Sequence, residues 1–259
     1  MRLALIQMKV DYGQPEINLN RVNAKVEEAV QKNPDILILP EMWNTGFAWK
    51  NLADTADCLG VPGARNVGEL AAKYKINIVG GSVADMHEQR IYNTSYIYNR
   101  KGEEVARYSK IHLFGLMREG EYLTPGSSRT DFSLEGIKCG VIICYDLRFP
   151  ELSRALALDG IKLLFVPAQW PQPRMHPWRT LLQARAIENQ LFVVGVNCVG
   201  KVGNTEFFGH SMVVNPLGEV IAEGSEEDEI IYADIDVAEV DRIRKYMSCF
   251  SDRVPEVYR

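Results

Sequence analysis

Cysteine is the most reactive nucleophile among the side chains, and Cys144 stands where one would be displayed. It ends the apolar run GVIIC and is followed by YDLRFPE, in which Pro150 suits the first turn of a helix and Asp146 its cap or the neighbourhood of the cap. A thiol between a strand and a helix start sits on an elbow. There, backbone N–H groups and the positive end of the helix lower its pKa and can cradle an oxyanion. Cys139 and Cys198 lie inside apolar runs and read as small buried hydrophobes, as most free cysteines are.

Such a thiol needs a proton acceptor and something to hold a developing oxyanion. None of the four histidines, His87, His112, His176 and His210, has a distinguishing context, and each reads as a surface or hydrogen-bonded residue. Glu41 differs because it follows ILILP directly, so an apolar strand would deliver a carboxylate to the end of a sheet among buried neighbours. Burial raises a carboxylate pKa towards the range useful for shuttling protons at neutral pH. Lys110 follows a hairpin, and taken alone it reads as one more exposed lysine.

The elements that would carry these residues are short, β-branched, apolar runs: LALIQM, DILILP, INIVGG, TSYIYN, KCGVIIC, KLLFVP, LFVVGVN, SMVVNP and EIIYADI. Helical periodicity lies between several of them, in INLNRVNAKVEEAVQK, ARNVGELAAKYK, PELSRALAL, WRTLLQARAIEN and VAEVDRIRKYM. The two halves repeat. DILILPEMW (35–43) matches KLLFVPAQW (162–170), and NTSYIYNRKGEEVA (93–106) matches GHSMVVNPLGEVIA (209–222). Copies of one strand-helix-strand-helix-strand-hairpin unit bury their sheets best face to face with helices outside. The expected fold class is therefore α/β (α+β), a four-layer α-β-β-α sandwich with an internal pseudo-twofold axis. The repeat also places Ala168 opposite Glu41, so folding does not require a charge at that position.

Bulk properties narrow the function. A chain of 259 residues with no Pro/Gly/Ser-rich linker is expected to form one domain, 1–259. With 46% hydrophobic and 24% charged residues it can bury a sizeable core. Net charge of −5 and short basic clusters give no footprint for nucleic acid or an anionic membrane, which leaves a small molecule as the expected partner. No signal peptide or run of roughly 20 apolar residues is visible. Five widely spaced cysteines without a CxxC pair argue against a disulfide framework and a zinc site; a cytoplasmic, reducing location and no cofactor are expected.

In combination these residues resemble the nitrilase superfamily, the carbon-nitrogen hydrolases, over nearly the entire chain. Glu41 in LPEMW, Lys110 in YSKIHLF and Cys144 in CYDLRFPE fall in that family's Glu, Lys, Cys order; PAQW, ARAIENQ, GHSMVVNPLGEV and DRVPEVY also match. Glu119 in REGEYLTPG takes the place of the family's second glutamate, ahead of Glu121. The resemblance implies the same four-layer sandwich, usually paired as a homodimer. CYDLRFPE is similar to the amidase branches, whereas the cysteine of true nitrilases is followed by Trp and Glu. WPQPRMHPW together with ARAIENQ is most similar to bacterial ω-amidases, which cleave the terminal amide of 2-oxo dicarboxylic monoamides such as 2-oxoglutaramate. In some bacteria such an enzyme accompanies methionine salvage.

The implied roles are Glu41 as proton acceptor, Lys110 and the Tyr145 N–H as oxyanion donors, and Glu119 as an orienting carboxylate. A 2-oxo acid monoamide also carries a carboxylate, for which the planar fork of Arg174 is the candidate partner. Tyr145, Phe149 and Trp170 would form an apolar wall, and Arg148 is read as a structural partner of Asp146 or Glu151. Alternative activities are N-carbamoyl amidohydrolysis and general aliphatic amide hydrolysis. A non-catalytic binding module or a redox-responsive thiol protein on the same fold is the alternative of a different class.

Overall fold

Alternation of side chains along the strands decides how the layers stack. In the computed structural model, which describes residues 1–258, strand Arg2–Gln7 sends Leu3 and Leu5 into one apolar cluster and Ala4 and Ile6 into another. Strand Ile36–Ile38 divides in the same way, with Ile36 and Ile38 on one side and Leu37 on the other. A strand of period two that is buried on both faces must be covered on both. Outside, Val22, Val26 and Ala29 of helix Pro15–Ala29 and Val67, Leu70 and Ala71 of helix Gly63–Tyr74 supply the cover. Inside, the cover is a second sheet whose Val141, Leu163 and Phe165 belong to the same cluster as Leu3 and Leu5. That cluster continues into Leu152 and Leu156 of helix Pro150–Leu158 and Trp178, Leu182 and Ala186 of helix Met175–Asn189. The sequence of layers is helices, sheet, sheet, helices, the expected α-β-β-α sandwich.

The repeat is visible in the strand order. In the eight-stranded sheet, Arg2–Gln7, Ile36–Ile38 and Asn77–Val79 run parallel, and antiparallel Arg90–Tyr98 and Glu104–Ser109 follow. In the six-stranded sheet, Ile137–Val141, Leu163–Pro167 and Phe192–Val196 run parallel, and antiparallel Met212–Val214 and Val220–Glu223 follow. Both hairpins break register at the equivalent step, Ile97/Tyr98 and Val213/Val214. Their turns also match bond for bond. Asn99 Oδ1 accepts the N–H groups of Lys101 and Glu103 at 2.9 and 3.2 Å, and Asn215 Oδ1 accepts those of Leu217 and Glu219 at 3.0 and 3.0 Å. Gly102 (φ +76°) and Gly218 (φ +85°) take the left-handed conformation that closes each turn.

Two differences from the sequence reading are local. The first helix begins at Pro15 and gives way to a 3₁₀ turn, Val30–Lys32, because Asn33 takes a left-handed conformation (φ +49°). A small hairpin, Val199–Val202 with Thr205–Phe208, escaped notice although the Gly203-Asn204 pair at its tip is a turn signal. Among the described residues no helix is long and apolar enough to cross a membrane.

Candidate active site

Glu41 lies just past strand Ile36–Ile38, Lys110 directly after strand Glu104–Ser109, and Cys144 just past strand Ile137–Val141. The first two come from one half of the chain and the third from the other, and the facing sheets bring their strand ends together. Lys110 is fully buried, and its Nζ donates to Glu41 Oε1 at 2.9 Å and to Glu119 Oε1 at 2.8 Å. A buried ammonium is costly unless it is paired and hydrogen-bonded, and here two buried carboxylates meet it. Burial alone would push Lys110 down, but Glu119 and Glu41 outweigh it and hold the amine charged. Burial likewise pushes Glu119 up, against the pull of Lys110.

Local structure fixes each member. Glu119 opens a 3₁₀ turn, Glu119–Glu121, and its Oε2 accepts the Phe114 N–H at 3.0 Å, which ties the 114–119 loop over the site. The backbone of Lys110 is held by Asn93 O, which accepts its N–H at 2.9 Å, and by Gly126, whose N–H donates to Lys110 O at 2.8 Å. A Cβ on Gly126 would lie 2.1 Å from Ser109 O, so this close approach requires glycine. Glu41 Oε1 also accepts Asn93 Nδ2 at 2.8 Å, and Oε2 accepts the Gln169 N–H at 2.8 Å.

Cys144 has φ +47°, a left-handed conformation unusual for a residue with a Cβ, and opens a 3₁₀ turn, Cys144–Arg148, before the helix that Pro150 begins. This is the strained elbow the sequence suggests. Asp146 holds it. The buried carboxylate accepts Tyr108 OH at 2.7 Å, the Ile143 N–H at 2.9 Å and the His112 N–H at 2.9 Å, and it pairs with His112 Nδ1 at 2.7 Å. One expectation is corrected: the thiol is not depressed by the turn. Burial first, and then the charge of Glu41, push Cys144 well above its ordinary range, and Lys110 offsets them only in part. At rest the sulfur is a thiol that needs a base.

Above the sulfur lies a narrow pocket lined by Cys144, Glu119, Tyr145, Trp170, Phe114 and Arg174 among others. Tyr145 and Trp170 line it. Phe149 does not line the pocket; it stacks on His112 with centroids 3.6 Å apart and backs Tyr145 edge-on at 5.3 Å. The Arg174 guanidinium lies 5.4 Å from the Phe114 ring centre. Arg148 also lines the pocket, 5.1 Å from the Trp170 ring centre, and among the described residues it pairs with neither Asp146 nor Glu151, the two partners the sequence suggested. Local proximity misled that reading, since the acceptor capacity of Asp146 is taken by groups near Tyr108 and Ile143. Sequence reasoning also passed over Asn93 and Gln169. The signal for Asn93 was the same as for Glu41, because its counterpart in the repeat is Gly209.

The sequence profile of the carbon-nitrogen hydrolase family matches residues 2–245. The chain is 40% identical over 256 residues to the 2-oxoglutaramate amidase of Bacillus subtilis, covering 99% of this chain and 98% of that one. To the omega-amidase of Bos taurus it is 32% identical over 267 residues, covering 99% and 96%. Among solved structures, an amidase from Nesterenkonia sp. with the acetamide moiety of fluoroacetamide added covalently at its active-site cysteine is similar with a TM-score of 0.88. It is 27% identical, over 100% of this chain and 95% of that one.

Proposed function

The chain belongs to the carbon-nitrogen hydrolase family, the nitrilase superfamily, and within it we propose that it hydrolyses the terminal carboxamide of a small 2-oxo acid monoamide of the 2-oxoglutaramate kind, releasing ammonia and the acid. The observation that carries the reading is the fully buried Lys110 bridging Glu41 and Glu119 under a pocket whose floor includes Cys144.

In the proposed reaction Glu41 accepts the Cys144 thiol proton as sulfur attacks the amide carbon. Lys110 and the Tyr145 N–H, free at the start of its turn, stabilise the tetrahedral oxyanion. The carbon–nitrogen bond then breaks, Glu41 returns the proton to the leaving nitrogen, and ammonia departs from a thioester on Cys144. Water gives a proton to Glu41 and its oxygen to the thioester carbon; the acid leaves and sulfur regains the proton. Glu119 keeps Lys110 oriented throughout, and Arg174, with Arg148 also lining the pocket, receives the substrate carboxylate.

Five free cysteines, three of them buried, fit a reducing cytoplasm, and a homodimer of the kind the family resemblance implies is the proposed assembly, to be read by sedimentation. The matching physiological task is disposal of the amide by-product of glutamine-dependent transamination in methionine salvage. The deciding experiment is ammonia release from 2-oxoglutaramate, an N-carbamoyl amino acid and a neutral aliphatic amide, with mass spectrometry of stopped reactions. We expect 2-oxoglutaramate to be preferred, an acyl adduct on Cys144, and no turnover in Cys144→Ala. Turnover in Cys144→Ala sinks the mechanism, and preference for an N-carbamoyl compound sinks the substrate.

A further inference from the structure

The carboxylate of Glu41 is not evenly occupied. Oε1 accepts two donors, Lys110 Nζ at 2.9 Å and Asn93 Nδ2 at 2.8 Å, whereas Oε2 accepts one, the Gln169 N–H at 2.8 Å. Each carboxylate oxygen offers about two lone-pair directions. Oε1 is therefore full, and Oε2 keeps one direction open.

Taking Glu41 as the proton carrier, as in the reading above, we propose that Asn93 is a positioning residue that directs the Cys144 proton to Oε2 of Glu41 and holds the carboxyl in place once it is neutral. The second part follows from charge. When Glu41 takes the proton, its ion-pair attraction for Lys110 is lost, so the ammonium alone no longer restrains it and is drawn towards Glu119. A neutral amide N–H still bonds the unprotonated oxygen of a carboxylic acid, so the hold of Asn93 survives the step that weakens the hold of Lys110.

Three further observations favour this role over a structural one. Asn93 is fully buried on strand Arg90–Tyr98, and its own carbonyl accepts the Lys110 N–H at 2.9 Å, so one residue sets both the base and the lysine. Its Oδ1 is buried without a partner among the protein atoms, so its side-chain bonding is spent on Glu41 alone. Its counterpart in the repeat, Gly209, has no side chain and lies just before strand Met212–Val214 of the equivalent hairpin.

The test compares Asn93→Ala and Asn93→Ser, whose hydroxyl is too short to replace the amide, with wild type and Glu41→Gln. Turnover, thermal midpoint and the rate of Cys144 alkylation by iodoacetamide, followed on the Cys144 peptide, are measured in each. We expect kcat to fall at least about tenfold for charged and neutral amides alike, KM to stay within about threefold, and the thermal midpoint to hold or rise. Alkylation of Cys144 should slow by the same factor in an otherwise native background and be unaffected by Asn93→Ala once Glu41 is Gln. Turnover within about twofold of wild type, an equal effect in both backgrounds, or loss of fold in both variants overturns the proposal. Full activity in Glu41→Gln would instead overturn the reading of Glu41 on which it rests, whereas an inactive Glu41→Gln beside an active Asn93→Ala removes Asn93 alone.

Discussion

Glu41 and Gln169 clasp each other from opposite halves of the chain: the Gln169 N–H donates to Glu41 Oε2 at 2.8 Å, and Gln169 Nε2 returns to the Glu41 carbonyl at 2.7 Å. In the repeat Gln169 corresponds to Met42, the neighbour of Glu41, so the pair joins equivalent strand ends of the two halves. The seam between the halves and the proton acceptor are one group. Gln169→Ala keeps the backbone donor but leaves the buried Glu41 carbonyl without its side-chain partner. Urea unfolding should show a loss of about 1–3 kcal/mol, with a smaller effect on kcat than any change to Glu41.

Lys110 neutralises two buried carboxylates, so removing it strands both. Lys110→Met should lower stability by about 3–5 kcal/mol and abolish turnover. Adding Glu119→Gln should return part of the stability and none of the activity. The deficit of the single variant should shrink as pH falls, because burial already favours the protonated form of Glu119. A single variant as stable as wild type at neutral pH would contradict the burial of the triad.

Substrate selection should reside in the two arginines of the pocket wall. Arg174→Ala should raise KM for 2-oxoglutaramate by roughly 10- to 100-fold, the worth of a charge-assisted hydrogen bond, and leave a neutral amide unaffected. Arg148→Ala should do the same if both guanidiniums share the carboxylate. An unchanged KM in Arg174→Ala removes that residue from the site.

Asp57 provides a pH test away from the chemistry. Burial raises its carboxyl to about 6, with Asp85 adding to the shift and the Ala64 N–H and Asn44 opposing it. Because the folded state keeps this proton to higher pH than the unfolded chain does, stability from this group is present below about pH 4 and lost as pH rises through 6. The loss is up to about 3 kcal/mol. Relative to Asp57→Asn, wild type should therefore lose thermal stability between pH 4 and 7. A difference that does not change over that range would refute it.

Much of this was legible in the letters because the relevant physics is local or repeated. Apolar runs ending in Pro-x-x-Trp announced strands, and their recurrence announced two facing sheets. Glu41 and Cys144 stood out because each follows a strand end. Lys110 did not, since burying it depends on Glu41, 69 residues away, and on a loop glutamate, and no window of sequence holds that trio. Arg148 was misplaced for the opposite reason. Its nearness to Asp146 in the chain suggested a pair, but Asp146 faces Tyr108 and His112, leaving the guanidinium to turn over Trp170.

The division of labour between the halves has an effect on the newborn protein. Base, lysine and orienting carboxylate are all synthesised before residue 120, and the sulfur emerges later, just past strand Ile137–Val141, whose partner Leu163–Pro167 and the next strand of that sheet, Phe192–Val196, come later still. On the ribosome the early half carries the base and the lysine without Cys144, and that thiol arrives before the sheet beside it is complete. The three groups therefore meet only once strands made after Cys144 are in place, so a chain stalled before that point lacks the assembled site.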